Sequence, residues 1–151
     1  MNKQPKSFKL AYSAGCVSTG TMRKEDLIPA FCWELRNLNH RSPELTRIER
    51  KAKTEKYYNS EDSDYDLESL QNMLSEHAQP YFYFGSHPGD GADYGFWLPE
   101  FFEDDFDGLK VDDTSEIPAG YIGEVLHVND HGNMTLYWKS ARKLTEIWAI
   151  V

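Results

Sequence analysis

Two stretches of the sequence share the pattern His-x-x-Asp. The first, GSHPGDGADYGFW, spans residues 85–97, and the second, LHVNDHGNMTLYW, spans residues 126–138. Imidazole nitrogens and carboxylate oxygens are common ligands of zinc, manganese and iron, and the same groups act as general acids and bases. If the two stretches met at one end of a sheet, they would form a divalent-metal site. Its candidate ligands are His87, Asp90, Asp93, His127, Asp130 and His131.

A site of this kind predicts a metal-dependent hydrolase, whose catalytic candidates are His87, Asp90, His127 and His131. The competing interpretation is that both stretches are turns, because Asn, Asp and Gly tolerate left-handed conformations and hydrogen-bond their own backbone. Neither stretch has a recognised metal spacing such as His-Glu-x-x-His. The sequence therefore favours turns and no cofactor, with the divalent metal as the alternative.

The first half of the chain predicts one strand and two to three helices. Residues 8–14, FKLAYSA, have the composition of a strand, and the following GCVSTGT is typical of a loop. Residues 24–38 carry apolar side chains at helical spacing. Ser42 and Pro43 are residue types that helices prefer at the N-cap and at the first position, so a second helix is expected to begin there.

A third helix is expected after an acidic loop near residues 59–66, with Ser63 or Asp66 as its cap and its end near Ala78. The second half predicts strands, because aromatic and β-branched residues lie between turn signals. The strand candidates are YFYFG, YGFWL, YIGEVLHV, MTLYWKS and LTEIWAIV. The sequence thus predicts an α+β fold, in which the N-terminal strand and the helices pack on a mainly antiparallel sheet formed by the second half.

We expect the 151 residues to form a single domain, 1–151. Charge is distributed unevenly along this domain. The net charge is −9, but residues 60–116 contain sixteen Asp or Glu and one Lys, and a second acidic loop is expected near 99–116. Such a field repels nucleic-acid phosphates and favours a basic protein partner. The binding candidates are Asp104, Asp105, Asp107, Asp112 and Asp113. A basic helix near residues 43–57 has no predicted role.

Cysteine content and hydropathy predict the compartment. Cys16 and Cys32 are the two cysteines, and their spacing matches no zinc motif. Two cysteines also fall short of a disulfide framework, so a reduced, cytoplasmic protein is expected. No run approaches the roughly 20 apolar residues that a membrane-spanning helix needs, and we expect no membrane partner. The sequence gives no sign of the oligomeric state.

Several long stretches resemble a family of proteins carried by bacteria and their phages. They are STGTMRKEDLIPAF, PYFYFGSHPGDGADYGFWL, GEVLHVNDHGNMTLY and the terminal EIWAIV. The resemblance covers about a third to half of the chain. It implies a cytoplasmic setting and a link to mobile elements, and it implies no catalytic residues.

The sequence therefore leads to one expected function and two alternatives. The first is an acidic protein that binds another protein and modulates a host nucleic-acid-handling or defence system, without direct nucleic-acid binding. The second is the metal-dependent hydrolase built on the His/Asp loops. The third is a structural or oligomerising protein without catalysis.

Overall fold

The computed structural model describes residues 15–150. They belong to two compact units, residues 15–100, here called the helical unit, and residues 101–150, here called the sheet unit. The α+β class is confirmed. The strand expected at residues 8–14 lies outside the described residues, and the single domain stays a prediction. No helix within residues 15–150 is long and apolar enough to cross a membrane.

The helical unit contains three helices and a three-stranded sheet. Its elements, in chain order, are β1 (Gly15–Ser18), α1 (Lys24–Asn37), α2 (Pro43–Lys51), a 3₁₀ turn (Glu55–Asn59), α3 (Glu61–Glu76), β2 (Tyr83–His87) and β3 (Asp90–Trp97). The strand order is β1-β3-β2, and both pairings are antiparallel. Residues 15–18 were expected in a loop, and this expectation is wrong, because Gly15 and Cys16 pair with Phe96 and Gly95 of β3.

Local sequence explains where α2 begins. Ser42 has an extended backbone, and its hydroxyl accepts a hydrogen bond from the Leu45 backbone N–H at 3.1 Å. Pro43 occupies the first turn, where its missing N–H costs no helical hydrogen bond. The predicted start of this helix is confirmed.

The core of the helical unit lies between α1, α3 and one face of the sheet. Phe31 of α1 is fully buried and meets Phe84 of β2 edge-on, with ring centroids 5.0 Å apart. Phe84 makes a similar contact, also at 5.0 Å, with Phe96 on the neighbouring strand. Edge-to-face aromatic pairs of this kind stabilise the fold beyond the contribution that comes from burying their apolar surface. Leu70 and Leu74 of α3 complete the core.

Helix α3 starts earlier than expected. Residues 61–66 were predicted to belong to an acidic loop, but they form the first turns of α3. Ser63 and Asp66, the expected caps, are buried inside the helix, and Ser60 occupies the cap position without a side-chain cap hydrogen bond. Acidic residues in the first turn interact favourably with the helix dipole, so this acidic sequence is compatible with a helix.

The sheet unit is built around four strands. Its elements are α4 (Phe102–Asp105), β4 (Leu109–Val111), a 3₁₀ turn (Thr114–Glu116), β5 (Gly123–Val128), β6 (Met134–Lys139) and β7 (Leu144–Ile150). The strand order is β4-β5-β6-β7, in which β4 is parallel to β5 and the other pairings are antiparallel. Val125, Leu126 and Leu136 are fully buried, and so form the centre of its core.

Candidate functional site

The acidic segment, residues 103–116, is held on the sheet unit by two phenylalanines. Phe102 begins the short α4 and Phe106 follows its end, and both are buried, whereas Phe101 is 61% exposed. The Phe102 ring lies 5.7 Å from the Phe106 ring and 5.8 Å from the Trp148 ring of β7. The aromatic anchors thus fix the segment at its start.

A parallel strand pairing fixes the middle of the acidic segment. Leu109 pairs with Val125, and Val111 pairs with His127 of β5. Gly108 precedes this strand, and a side chain there would collide with the Phe106 ring at 2.5 Å. Any larger residue at this position would therefore require the Phe106 ring to move.

The carboxylates of the acidic segment project into solvent. The seven acidic residues are all exposed, and Lys110 is the one cation among them, which gives the segment a charge of −6. They are Glu103, Asp104, Asp105, Asp107, Asp112, Asp113 and Glu116. Within residues 15–150, no ion pair involves any of them.

Three acidic residues of α3 differ, because they form ion pairs with cations of the same unit. Asp64 accepts from the Lys24 ammonium at 2.9 Å, and Asp66 forms an ion pair with the Lys51 ammonium at 2.8 Å. Asp62 lies 3.9 Å from Lys51. Asp62, Asp64 and Asp66 therefore form ion pairs within their own unit, whereas the acidic residues of 103–116 form none among residues 15–150.

Two backbone contacts order the end of the acidic segment. The Asp113 carboxylate accepts from the Ser115 backbone N–H at 2.8 Å, and this hydrogen bond lowers the pKa of Asp113. The Nε2 atom of His127 lies 3.0 Å from the Asp112 carbonyl oxygen. His127 thus helps to position the acidic segment.

The first His/Asp loop is the tight turn of the β2–β3 hairpin. His87 and Asp90 pair across the hairpin, so the structure brings these two residues together. The Gly89 backbone N–H donates to Nδ1 of His87 at 2.9 Å, and the Ala92 backbone N–H donates to the Asp90 carboxylate at 3.0 Å. Both side chains therefore hydrogen-bond the turn itself, as the turn interpretation expects.

Asp93 and Cys16 lie on the strands beside this turn. The Thr19 hydroxyl donates to the Asp93 carboxylate at 2.5 Å. The Cys16 thiol donates to the Ser18 carbonyl oxygen at 3.2 Å, and desolvation together with nearby Asp93 raises the pKa of Cys16. A raised pKa keeps the thiol protonated at neutral pH, which disfavours nucleophilic chemistry there.

The second His/Asp loop joins β5 and β6. The Asn129 side chain accepts from the backbone N–H groups of His131 and Asn133 at 2.9 and 3.0 Å. Gly132 adopts a φ of +79°, which only glycine adopts without strain. Asp130 and His131 are exposed. The antiparallel pairing of β5 with β6 around this loop confirms the predicted turn.

The two His/Asp loops belong to different units, the first to the helical unit and the second to the sheet unit. In the part of the chain that the structure describes, no three His, Cys, Asp or Glu side chains are grouped so as to hold a metal ion. The metal site and the hydrolase stay predictions.

Comparison with known proteins adds no assignment. No protein-family model, curated protein or solved structure matches this chain. The resemblance to proteins of bacteria and their phages therefore stays a prediction.

Two groups of polar residues were missed in the sequence. His40 and His77 are in hydrogen-bond contact although 37 positions separate them. Asp66, expected to cap a helix, is buried against the Tyr57 hydroxyl and Lys51. Neither group has a spacing signal, because each joins separate elements through the tertiary fold.

Proposed function

We propose that this protein acts in the cytoplasm by binding a basic surface of another protein through its acidic segment. In this proposal it is borne by a phage or another mobile element, and it modulates a host system that handles nucleic acids or provides defence. The observation that carries the proposal is the contrast between the two acidic regions. The carboxylates of Asp62, Asp64 and Asp66 in α3 have cationic partners within their own unit, whereas those of residues 103–116 have none within residues 15–150.

Electrostatics explains why unpaired carboxylates suit this role. Like-charged side chains in one short segment repel each other, and each loses part of that repulsion when a lysine or arginine of a partner approaches. Rows of carboxylates present the same sign of charge as a phosphate backbone, so a nucleic-acid-binding groove is a fitting partner surface. Long-range attraction of this kind speeds association and weakens with salt.

The anchoring of the segment supports the same function. Phe102, Phe106 and Val111 are buried, so the backbone that carries the carboxylates is ordered before any partner binds. A pre-organised segment loses less conformational entropy on binding than a flexible acidic tail.

Charge-neutralised variants test the proposal. The first combines Asp104→Asn, Asp105→Asn, Asp107→Asn and Asp112→Asn, which changes the net charge from −9 to −5. The matched control combines Glu55→Gln, Glu68→Gln, Asp130→Asn and Glu146→Gln, which removes four exposed charges elsewhere and gives the same net charge. Each immobilised protein is incubated with a bacterial lysate, and the retained proteins are identified by mass spectrometry.

The proposal expects a partner that wild type and control retain and that the four-asparagine variant loses. This partner should elute at moderate salt. Equal retention by both variants, or retention that salt does not affect, would contradict the proposal.

A further inference from the structure

A basic cleft in the helical unit lies between the end of α1 and the start of α2. Its volume is about 580 Å³, a size that is typical of small-molecule sites. Among the residues that line it are Arg36, Asn39, His40, Arg41, Ser42 and Thr46. Among residues 15–150, none that lines this cleft is acidic, although the protein carries a net charge of −9.

The two arginines of the basic cleft are differently engaged. Arg36 uses its Nε and Nη2 atoms for Glu49, and its Nη2 atom also lies 3.3 Å from the Thr46 hydroxyl. These contacts fix its guanidinium plane, and Glu49 does not line the cleft. Arg41 is exposed and has no ion pair with any residue that the structure describes. Its full guanidinium fork is therefore available to a ligand.

The histidine of the basic cleft has an unsatisfied nitrogen. The Nδ1 atom of His40 lies 2.8 Å from Nε2 of His77, whereas its own Nε2 is buried and has no hydrogen-bond partner among residues 15–150. Buried polar atoms in proteins usually have a partner, because an unsatisfied one costs free energy. A ligand oxygen bound against His40 would supply that partner.

We infer that the basic cleft binds a phosphate-bearing small molecule. A planar guanidinium recognises two phosphate oxygens at once, and the Arg41 fork is free to do so. The Asn39 amide, which also lines the cleft, adds a neutral hydrogen-bond donor, whereas the Thr46 hydroxyl already donates to the Ser42 carbonyl oxygen at 3.4 Å. The start of α2 at Ser42 lies at the same cleft, and its dipole adds to the positive potential. This site belongs to the helical unit, and it does not depend on the function proposed for the acidic segment of the sheet unit.

An NMR titration of the full chain with pyrophosphate tests this inference. Amide shifts are followed at neutral pH in a constant chloride background, and inorganic phosphate is titrated as a second probe. The inference expects saturable shifts concentrated at residues 36–46. Arg41→Gln should weaken pyrophosphate binding on the order of tenfold, since a charge-assisted hydrogen bond is lost. Arg41→Lys should recover part of the affinity, because it restores the charge without the fork.

The matched control is Arg142→Gln, which removes an exposed arginine of the sheet unit. It should leave pyrophosphate binding unchanged, and the thermal unfolding midpoint of each variant checks that it is folded. Shifts that do not saturate, or equal weakening by Arg41→Gln and Arg142→Gln, would overturn the inference. Tighter binding of a double-stranded oligonucleotide or of a glutamate-rich peptide at residues 36–46 would also overturn it.

Discussion

His40 and His77 join the ends of two helices through their imidazole rings. The rings meet edge-on with centroids 5.0 Å apart, and Nδ1 of His40 lies 2.8 Å from Nε2 of His77. His40 follows α1, and His77 occupies the C-cap of α3. Burial lowers the pKa of His77, the charge of His40 lowers it further, and neighbouring Glu76 opposes both effects. The pair is thus favoured when His77 is neutral.

This pair predicts an acid-sensitive fold. Because the pKa of His77 is lower in the folded protein than its ordinary value of about 6.5, the unfolded chain takes up the proton first. The stabilisation is complete above that ordinary value and is lost as the pH falls through the folded pKa. Thermal unfolding from pH 7.5 to 5.0 should show a falling midpoint. His77→Gln should flatten this fall, whereas His131→Gln, a change at an exposed turn residue, should preserve it. An unchanged fall in His77→Gln would refute the prediction.

The contacts of Asp66 predict that its replacement by alanine destabilises the protein much more than the same replacement of Asp62, one turn earlier in α3. Its carboxylate is buried, accepts a hydrogen bond from the Tyr57 hydroxyl at 2.6 Å, and forms an ion pair with the Lys51 ammonium at 2.8 Å. Asp66→Ala should reduce the free energy of unfolding by roughly 2–4 kcal/mol, because it leaves both donors without their acceptor. Asp62→Ala should cost less than about 1 kcal/mol, since Asp62 is exposed and 3.9 Å from Lys51. Urea denaturation measures both values, and similar losses would show that the buried network is unimportant.

The close packing of β1 against Gly95 predicts that a larger residue does not fit at this position in the centre of the three-stranded sheet. A Cβ atom at this position would lie 2.2 Å from the Gly15 carbonyl oxygen and 2.9 Å from the Cys16 Cα. Gly95→Ala should therefore push β1 away from β3 and destabilise the protein by about 1–3 kcal/mol. Gly91→Ala on the same strand is the control, because its Cβ would meet no atom within 4 Å. Equal unfolding midpoints for the two variants would contradict the prediction.

The two cysteines predict slow thiol chemistry. Burial raises the pKa of Cys32 to about 12, and desolvation with nearby Asp93 raises the pKa of Cys16. Because the thiolate is the reactive form, iodoacetamide at pH 7.5 should modify exposed Cys16 more slowly than a free cysteine peptide. Cys32 should react only after denaturation. Asp93→Asn should speed the Cys16 reaction, and a rate equal to that of the free peptide in wild type would disprove the electrostatic account.

Features set by neighbouring residues could be predicted from the sequence. The start of α2 follows from Ser42 and Pro43, and the β5–β6 hairpin follows from the turn around Gly132. The early start of α3 could not be predicted, because Asp64 and Asp66 are held by Lys24 and Lys51, which lie on other helices. Local charge patterns suggest a loop, whereas tertiary ion pairs favour the helix.

The candidate site shows the same division. The acidity of residues 103–116 is visible in the sequence, but the sequence does not tell which carboxylates are paired internally. His87 and Asp90 meet across a hairpin, and both hydrogen-bond the turn. Such backbone roles depend on the fold, so residue type alone could not separate a turn from a ligand set.

The salt dependence of the dissociation constant tests the central claim most directly. The partner captured by wild type is titrated against wild type, the four-asparagine variant and its matched control between 50 and roughly 300 mM NaCl, a range over which screening increases strongly. The account predicts a steep weakening with salt for wild type and control, and a weaker, flatter dependence for the four-asparagine variant. The same affinity and the same salt slope for all three proteins would contradict it.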